Sequence, residues 1–208
     1  MAPGRLSETK ILAYTKGPHL LCLSETWLKP EKDTPEFIGY KTTFRKDRQN
    51  RDGGGLLTLA RDDIKCEERT LTMPQNTCLE AQAIDIQLAH DKMSLLHIYN
   101  PETNLNRNHL DFLIKQLGRK FLIVGDFNGH HFMWDPDVQN LNQCGRELAD
   151  YIVDHPNIAL ATLPGLKTYT CDRPPFKSST IDLTLCSNNL IQITVTSALA
   201  DSDSDHYP

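Results

Sequence analysis

Gly125-Asp126-Phe127-Asn128 sets a carboxylate and an amide two positions apart, directly after the apolar run Phe121-Leu122-Ile123-Val124. On an extended segment, residues two apart point to the same side. Asp126 and Asn128 are therefore presented together at the carboxyl end of a core strand, where open α/β sheets bind their ligands. An ordinary turn after a strand accounts for the same two residues. Other strand ends offer Glu25, Tyr99, Asp182 and the pair Asp205-His206. Each has a plain structural explanation: a Glu reaching solvent, a core Tyr with its hydroxyl at the rim, an acid capping a turn, a tail. Together they describe strand ends converging on one cleft. Acidic oxygens there would hold a hard divalent cation, Mg²⁺ first and Mn²⁺ as a substitute. A histidine paired with a carboxylate would act as a base or a stabiliser of phosphate charge. With an Asp/Asn pair to hold and activate water, the set suits hydrolysis of a phosphoester.

The elements that must position these groups follow from hydrophobic spacing. His19 to Leu23, Leu56 to Ala60, Met93 to Tyr99, Phe121 to Val124, Ile158 to Leu163 and Ser179 to Cys186 read as strands, with a shorter piece at Thr168 to Thr170. Leu79 to Leu88 alternates and reads as a half-exposed strand, joined to the next by the turn at His90-Asp91-Lys92 in an antiparallel hairpin. Asn104 to Arg119 and Asn142 to His155 have helical spacing, Pro156 stopping the second, and a brief helix fits the first 16 residues. Leu190 to Val195 is a further apolar stretch after the turn Ser187-Asn188-Asn189. Hairpins mixed with helix-separated strands place the chain in the α/β class with mixed sheets.

Arg45, Lys46, Arg48 and Arg51 fall within seven positions and run into Gly53-Gly54-Gly55. A flexible cationic loop at a sheet edge would grip phosphates; a solvated hairpin explains the same charges. The glycines lack the spacing of a P-loop. The 208 residues, 39% of them hydrophobic, suit one domain with a real core, and the net charge of −5 advertises no global basic field. Six scattered cysteines without a C-x-x-C pair read as reduced thiols of an intracellular protein. No apolar stretch is long enough to cross a membrane, and no signal peptide opens the chain.

The order Leu23-Ser24-Glu25-Thr26-Trp27, Gly125-Asp126-Phe127-Asn128, Ser179-Thr180-Ile181-Asp182-Leu183 and Ser204-Asp205-His206 resembles the endonuclease/exonuclease/phosphatase superfamily. Tyr99-Asn100-Pro101, His130-His131 followed by Trp134-Asp135, and the basic glycine loop look closest to the apurinic-like endonuclease domain of non-LTR (LINE-type) retrotransposons. The resemblance implies a four-layer, DNase I-like sandwich: two mixed β-sheets face to face with helices outside. It assigns Glu25, with Asp205 nearby, to the metal. Asp126 and Asn128 would position and activate water, Tyr99 would contact the scissile phosphate, and Asp182 would orient the catalytic His206. Arg45, Lys46, Arg48, Arg51 and His131 would meet double-stranded DNA. The implied activity nicks one strand and leaves a 3′-hydroxyl for reverse transcription, in the nucleus, with a reverse transcriptase domain in the full-length element.

The family pattern begins with a strand carrying a metal-binding asparagine and ends with a strand beyond the Ser-Asp-His motif. This chain reads as a single domain, residues 1–208, lacking both. The expectation is therefore a truncated fragment of weak or lost activity and marginal stability. A phosphatase of the same superfamily acting on a small phosphoester, and an inactive module that binds DNA, are the alternatives.

Overall fold

The computed structural model describes residues 3–49, 52–171, 173–174, 177–199 and 205–208. Helix α1 (Pro3–Lys16) precedes β1 (Leu20–Ser24), β2 (Thr42–Lys46) and β3 (Leu56–Ala60), which form an antiparallel sheet in the order β1-β3-β2. The larger sheet joins β4 (Cys66–Arg69), β5 (Glu80–Gln87), β6 (Lys92–Tyr99), β7 (Phe121–Asp126), β11 (Asp182–Ser187) and β8 (Ile158–Leu160) in that order. Strands β6 and β7 run parallel, with α2 (Arg107–Ile114) between them in sequence; the remaining pairs are antiparallel. Helix α3 (Gln143–Asp154) follows β7, and a short ribbon pairs β9 (Tyr169–Thr170) with β10 (Ser178–Ser179).

Three apolar layers hold this order together. Leu57 and Leu59 pack with Ala13 of α1 and with Leu21 and Leu23 on the outside of the small sheet. Cys22, Phe44, Ile84, Ile86, Leu95 and Val124 meet between the sheets. Ala81, Leu96, Ile98 and Ile123 face Leu110 and Leu113 of α2 and Leu148 of α3 on the far side. The layers run helix, sheet, sheet, helices, the four-layer sandwich that the resemblance implies. Only the larger sheet is mixed; the smaller is antiparallel throughout its three strands.

Several elements depart from their sequence reading. The cationic stretch does not start as a loop: Arg45 and Lys46 are the last residues of β2, hydrogen-bonded along β3. Strand β4, with its charged Glu67, Glu68 and Arg69, has too little apolar character to read as a strand. β5 is covered on both faces rather than half-exposed, because the second sheet lies over its polar side. Residues Asn188–Ile193 coil into a 3-10 helix. The helix expected over Asn104 to Arg119 is shorter, since Asn106 caps it by accepting from the Asn108 N–H at 3.0 Å. None of the six cysteines forms a disulfide, and no helix among the described residues is long and apolar enough to cross a membrane.

Candidate active site

Strand register builds the site. Tyr99 of β6 pairs with Asp126 of β7, and Asp126 pairs with Asp182 of β11, so three strands that are distant in sequence set three functional side chains in one row. Glu80 of β5 extends the row on the other side of Tyr99. Neighbouring strands lie about 4.8 Å apart, which puts the two carboxylates almost in contact. The row faces the small sheet, because Val124 and Leu95, two and four residues earlier on their strands, lie in the layer between the sheets.

Gly125 makes this register possible. Its φ is +144°, and a Cβ there would lie 1.8 Å from the Ile98 carbonyl oxygen. Only glycine lets β6 and β7 approach so closely at this point. Asn128 follows at φ +50°. Its backbone N–H donates to Asp126 Oδ1 at 2.8 Å, and its side-chain amide donates to Asp126 Oδ2 at 3.2 Å and to the Asn100 carbonyl at 2.9 Å. Asp126 and Asn128 thus meet, but through a turn closed on the Asp126 carboxylate rather than along an extended strand, which ends at Asp126. Asn100, fully buried, also donates to the Phe127 carbonyl at 3.0 Å and fixes the turn from behind.

His206 arrives on the carboxyl-terminal segment. It forms a β-bridge with Tyr169, flanked by hydrogen bonds from Thr170 N–H to the Asp205 carbonyl and from Tyr207 N–H to the Thr168 carbonyl. Its Nδ1 lies 2.9 Å from Asp182 Oδ2, and the Tyr169 ring meets it edge-on at 5.0 Å. Ligand atoms of Asp126, Asp182 and His206 all lie within 4.8 Å of one another. Burial pushes the Asp126 carboxyl up to about 7, helped by the charge of Asp182 and opposed by His206. Burial pulls His206 down, but the hydrogen bond and charge of Asp182 outweigh it and leave the imidazole at about 9. The geometry therefore favours a charged imidazolium beside a carboxyl poised to lose its proton near neutrality.

Glu25 stands across from this group, on the turn leaving β1, and accepts the Tyr99 hydroxyl proton in a hydrogen bond. Burial raises the Tyr99 phenol, and the Glu25 bond adds to that. Glu25 and Trp27 both have positive φ, +53° and +54°. With Asn128, they make three of the four positive-φ residues other than glycine among those described, so backbone strain is concentrated at the site.

Glu25, Asp126, Asp182 and His206 line one cleft of about 1620 Å³, as do Asn128 and Asp205. The tight donor group consists of residues assigned to catalysis, while Glu25 and Asp205, assigned to the metal, stand outside it. The donor chemistry fits a hard divalent cation: two carboxylates face each other in register, and their repulsion is what such an ion would relieve.

The basic residues are differently placed. Arg45 binds both carboxylate oxygens of Asp47 at 2.7 Å and the Lys29 and Lys32 carbonyls at 2.6 Å. Lys46 Nζ donates to the Ala81 carbonyl at 2.8 Å, and burial lowers its ammonium. Arg48 pairs with Glu80, whose other oxygen accepts from the Gly55 N–H at 2.7 Å, and its guanidinium lies 5.7 Å from the Tyr99 ring centroid. Each described cation of the stretch already holds partners in its own chain. Arg51 lies outside the described residues. His131 does not line the cleft; its Nδ1 accepts from the Met133 N–H at 3.1 Å and its ring lies 5.3 Å from that of Trp134.

Sequence reasoning missed Glu80 and His97. Glu80 read as the exposed side of β5, although it supports Arg48 beneath Tyr99. His97 is buried between the sheets, its ring nitrogens 3.1 Å from Ser24 Oγ and 3.2 Å from Thr58 Oγ1. An imidazole within an otherwise apolar strand was the available signal.

Comparison with known proteins agrees with this architecture. The model of a family described as endonuclease-reverse transcriptase matches residues 93–208. A probable RNA-directed DNA polymerase from transposon BS of Drosophila melanogaster is 24% identical over 206 residues, which cover 98% of this chain and 22% of the relative. This chain thus spans under a quarter of that relative's length. Among solved structures, the endonuclease domain of TRAS1, a telomere-specific non-LTR retrotransposon, superposes with a TM-score of 0.70 at 16% identity, covering 98% of this chain and 89% of that one. An AP endonuclease from Archaeoglobus fulgidus gives 0.66 at 16% identity, covering 98% and 91%.

Proposed function

The chain belongs to the endonuclease-reverse transcriptase family, and from that premise we propose that it is a divalent-metal-dependent phosphodiesterase that nicks one strand of double-stranded DNA and leaves a 3′-hydroxyl. The reading rests on one observation: Asp126, Asp182 and His206 meet within 4.8 Å in a cleft that Glu25 also lines, its carboxylate held by the hydroxyl of buried Tyr99. Mg²⁺ is the cation the carboxylates suit, with Glu25 and Asp205 at its side; it would neutralise phosphate charge and assist the departing oxygen.

The chain's own groups supply the rest. Asp126 takes the proton of the attacking water, and Asn128 orients that water through its shared hydrogen bonds. A general base works best with a pKa near the working pH, and burial sets Asp126 at about 7. Water oxygen joins phosphorus, the bond to the 3′ oxygen breaks, and that oxygen takes up a proton. His206, kept cationic by Asp182, balances the charge that gathers on the phosphoryl oxygens. Tyr99 holds a phosphate oxygen opposite His206. In the longer protein, a reverse transcriptase domain would extend the 3′-hydroxyl, and the work would take place in the nucleus.

Plasmid nicking tests the reading. Wild-type protein should relax supercoiled plasmid with Mg²⁺ and not with EDTA, and Asp126→Ala should lower the rate by about 10²–10⁴-fold. Release of phosphate from small phosphoesters without plasmid nicking would replace it with the phosphatase reading. DNA binding without cleavage is the competing outcome. It requires salt-sensitive DNA binding that survives Asp126→Ala in a protein that never nicks.

A further inference from the structure

The chain has two tryptophans, and they are placed oppositely. Trp134 is fully buried in the core, whereas Trp27 is 58% exposed on the wall of the active-site cleft. Exposing an indole forgoes a large apolar contribution to stability, and holding a bulky residue at φ +54° adds backbone strain. The surroundings nevertheless fix it there. The Trp27 N–H donates to the Gly54 carbonyl at 2.9 Å, and the preceding Thr26 N–H donates to the Gly55 carbonyl at 3.2 Å. The six-membered edge of the ring rests against Gly53, where an added Cβ would touch it at 3.5 Å. Strain and support of this kind mark ligand clamps.

We propose that Trp27 is a stacking platform for one nucleobase flanking the scissile phosphate. The inference rests on the phosphodiesterase reading and adds the state of the DNA that the site prefers. Two observations choose a nucleobase as the occupant. Reach is the first: Trp27 follows Glu25 by two residues, a span of at most about 7 Å, which equals about two nucleotide steps along one strand. Charge is the second: Arg45, Lys46 and Arg48 are committed to protein partners and the chain carries net −5, so attraction to phosphate is scarce. A π-face binds any base without relying on charge.

A base inside a duplex already has both faces covered. Trp27 therefore favours DNA in which a base beside the cut is unstacked, at a bulge, a mismatch or a single-stranded junction, over a perfect duplex. The advantage should be about 10-fold, since stacking on an aromatic side chain is worth roughly 1–3 kcal/mol per base.

Intrinsic fluorescence tests this directly, because buried Trp134 serves as an internal reference. In EDTA, to prevent cleavage, the protein is titrated with a short duplex bearing a central mismatch and with the same duplex carrying an abasic site there. Binding is followed independently by anisotropy of a labelled strand. Saturable quenching by the mismatched duplex, weaker with the abasic one, is expected. Trp27→Leu should bind the mismatched duplex about 10-fold more weakly, by a factor unchanged between low and high salt, and Trp27→Phe should restore most of the loss. Near-ultraviolet circular dichroism of Trp134 verifies that the variants fold. Unchanged emission on binding, equal affinity of Trp27→Leu and wild type, or absence of DNA binding would each overturn the proposal. Plasmid nicking by the wild type decides the phosphodiesterase reading separately: if nicking persists while Trp27→Leu behaves as wild type, stacking alone is wrong.

Discussion

His97 makes the two sheets sensitive to acid. It is 2% exposed, and burial depresses its imidazole from 6.5 to about 3. The two hydroxyls that flank it, Ser24 and Thr58, offer no negative charge to an imidazolium. A base whose folded pKa lies below its unfolded pKa contributes stability that is complete above the unfolded value. That contribution is lost as pH falls toward the folded value, because the unfolded chain binds the extra proton. The window is therefore pH 6.5 down to about 3. At about 1.4 kcal/mol per pH unit, the full span is worth roughly 5 kcal/mol, and the part above pH 4.5 about 3 kcal/mol. Total stabilities of domains are about 5–15 kcal/mol, so this one ring takes a large share. Asp126 tilts the other way: its folded pKa is raised to about 7, and its contribution fades as pH rises through that value. A pH profile of the wild type alone would mix the two. The difference between wild type and His97→Gln removes the common tilt, since glutamine can serve both hydroxyls but does not titrate. Urea unfolding in EDTA at pH 7.0, 6.0, 5.0 and 4.5 measures it. The wild type should be the more stable at pH 7, by about 1–3 kcal/mol for the altered hydrogen bonds. That advantage should shrink by about 3 kcal/mol on reaching pH 4.5 and change sign if it starts small. A difference that stays constant across the range would refute the argument, for it would mean that His97 does not resist protonation.

Substitutions at two further positions, Arg48 and Gly125, probe the groups that hold the Tyr99–Asp126 pair in place. Arg48→Ala leaves Glu80 without its cation in a nearly closed position, which should cost about 3–5 kcal/mol in thermal or urea unfolding. The milder Arg48→Lys should slow nicking through a loosened Tyr99 yet leave the salt dependence of DNA binding unaltered; a slope smaller by about one ion would show that Arg48 touches phosphate instead. Gly125→Ala forces a Cβ to 1.8 Å from the Ile98 carbonyl and should cost more than about 4 kcal/mol, against about 1 kcal/mol for Gly39→Ala, where φ is also positive but no atom lies within 4 Å. Equal midpoints for the two glycine variants would contradict the close approach of β6 and β7.

The residues most legible in the sequence were those whose role needs a local signature. Asp126 and Asn128 announce a strand end because an apolar run, a glycine and a two-residue spacing lie side by side. Asn142 announces α3 in the same way, and its side chain accepts from the Gly145 N–H at 2.7 Å. What escaped depends on which distant strands become neighbours. The row Glu80–Tyr99–Asp126–Asp182 is set by ladder register across four strands, and no property of any one strand encodes it. The cationic stretch shows the same gap. Its charges look free in a one-dimensional reading, but Arg48 finds Glu80, 32 positions away, once the small sheet is laid over β5. Leu190 to Val195 differs for another reason: two of its four apolar residues, Ile193 and Val195, are exposed, and local 3-10 hydrogen bonding shapes residues up to Ile193.

The margins of the two sheets are not equally defended. β2 ends in Arg45 and Lys46, and β4 is Cys-Glu-Glu-Arg; such charges repel a stray strand. β8 is too short, at three residues, to template one. β1 is Leu-Leu-Cys-Leu-Ser, five residues with neither charge nor proline, and among the described residues no strand pairs with its outer rank of amides and carbonyls, beside the cleft. That strand is an adhesive border. Any extended apolar segment that zips along it lies one residue from Glu25, so whatever comes to cover β1 also gains a hand on the catalytic wall.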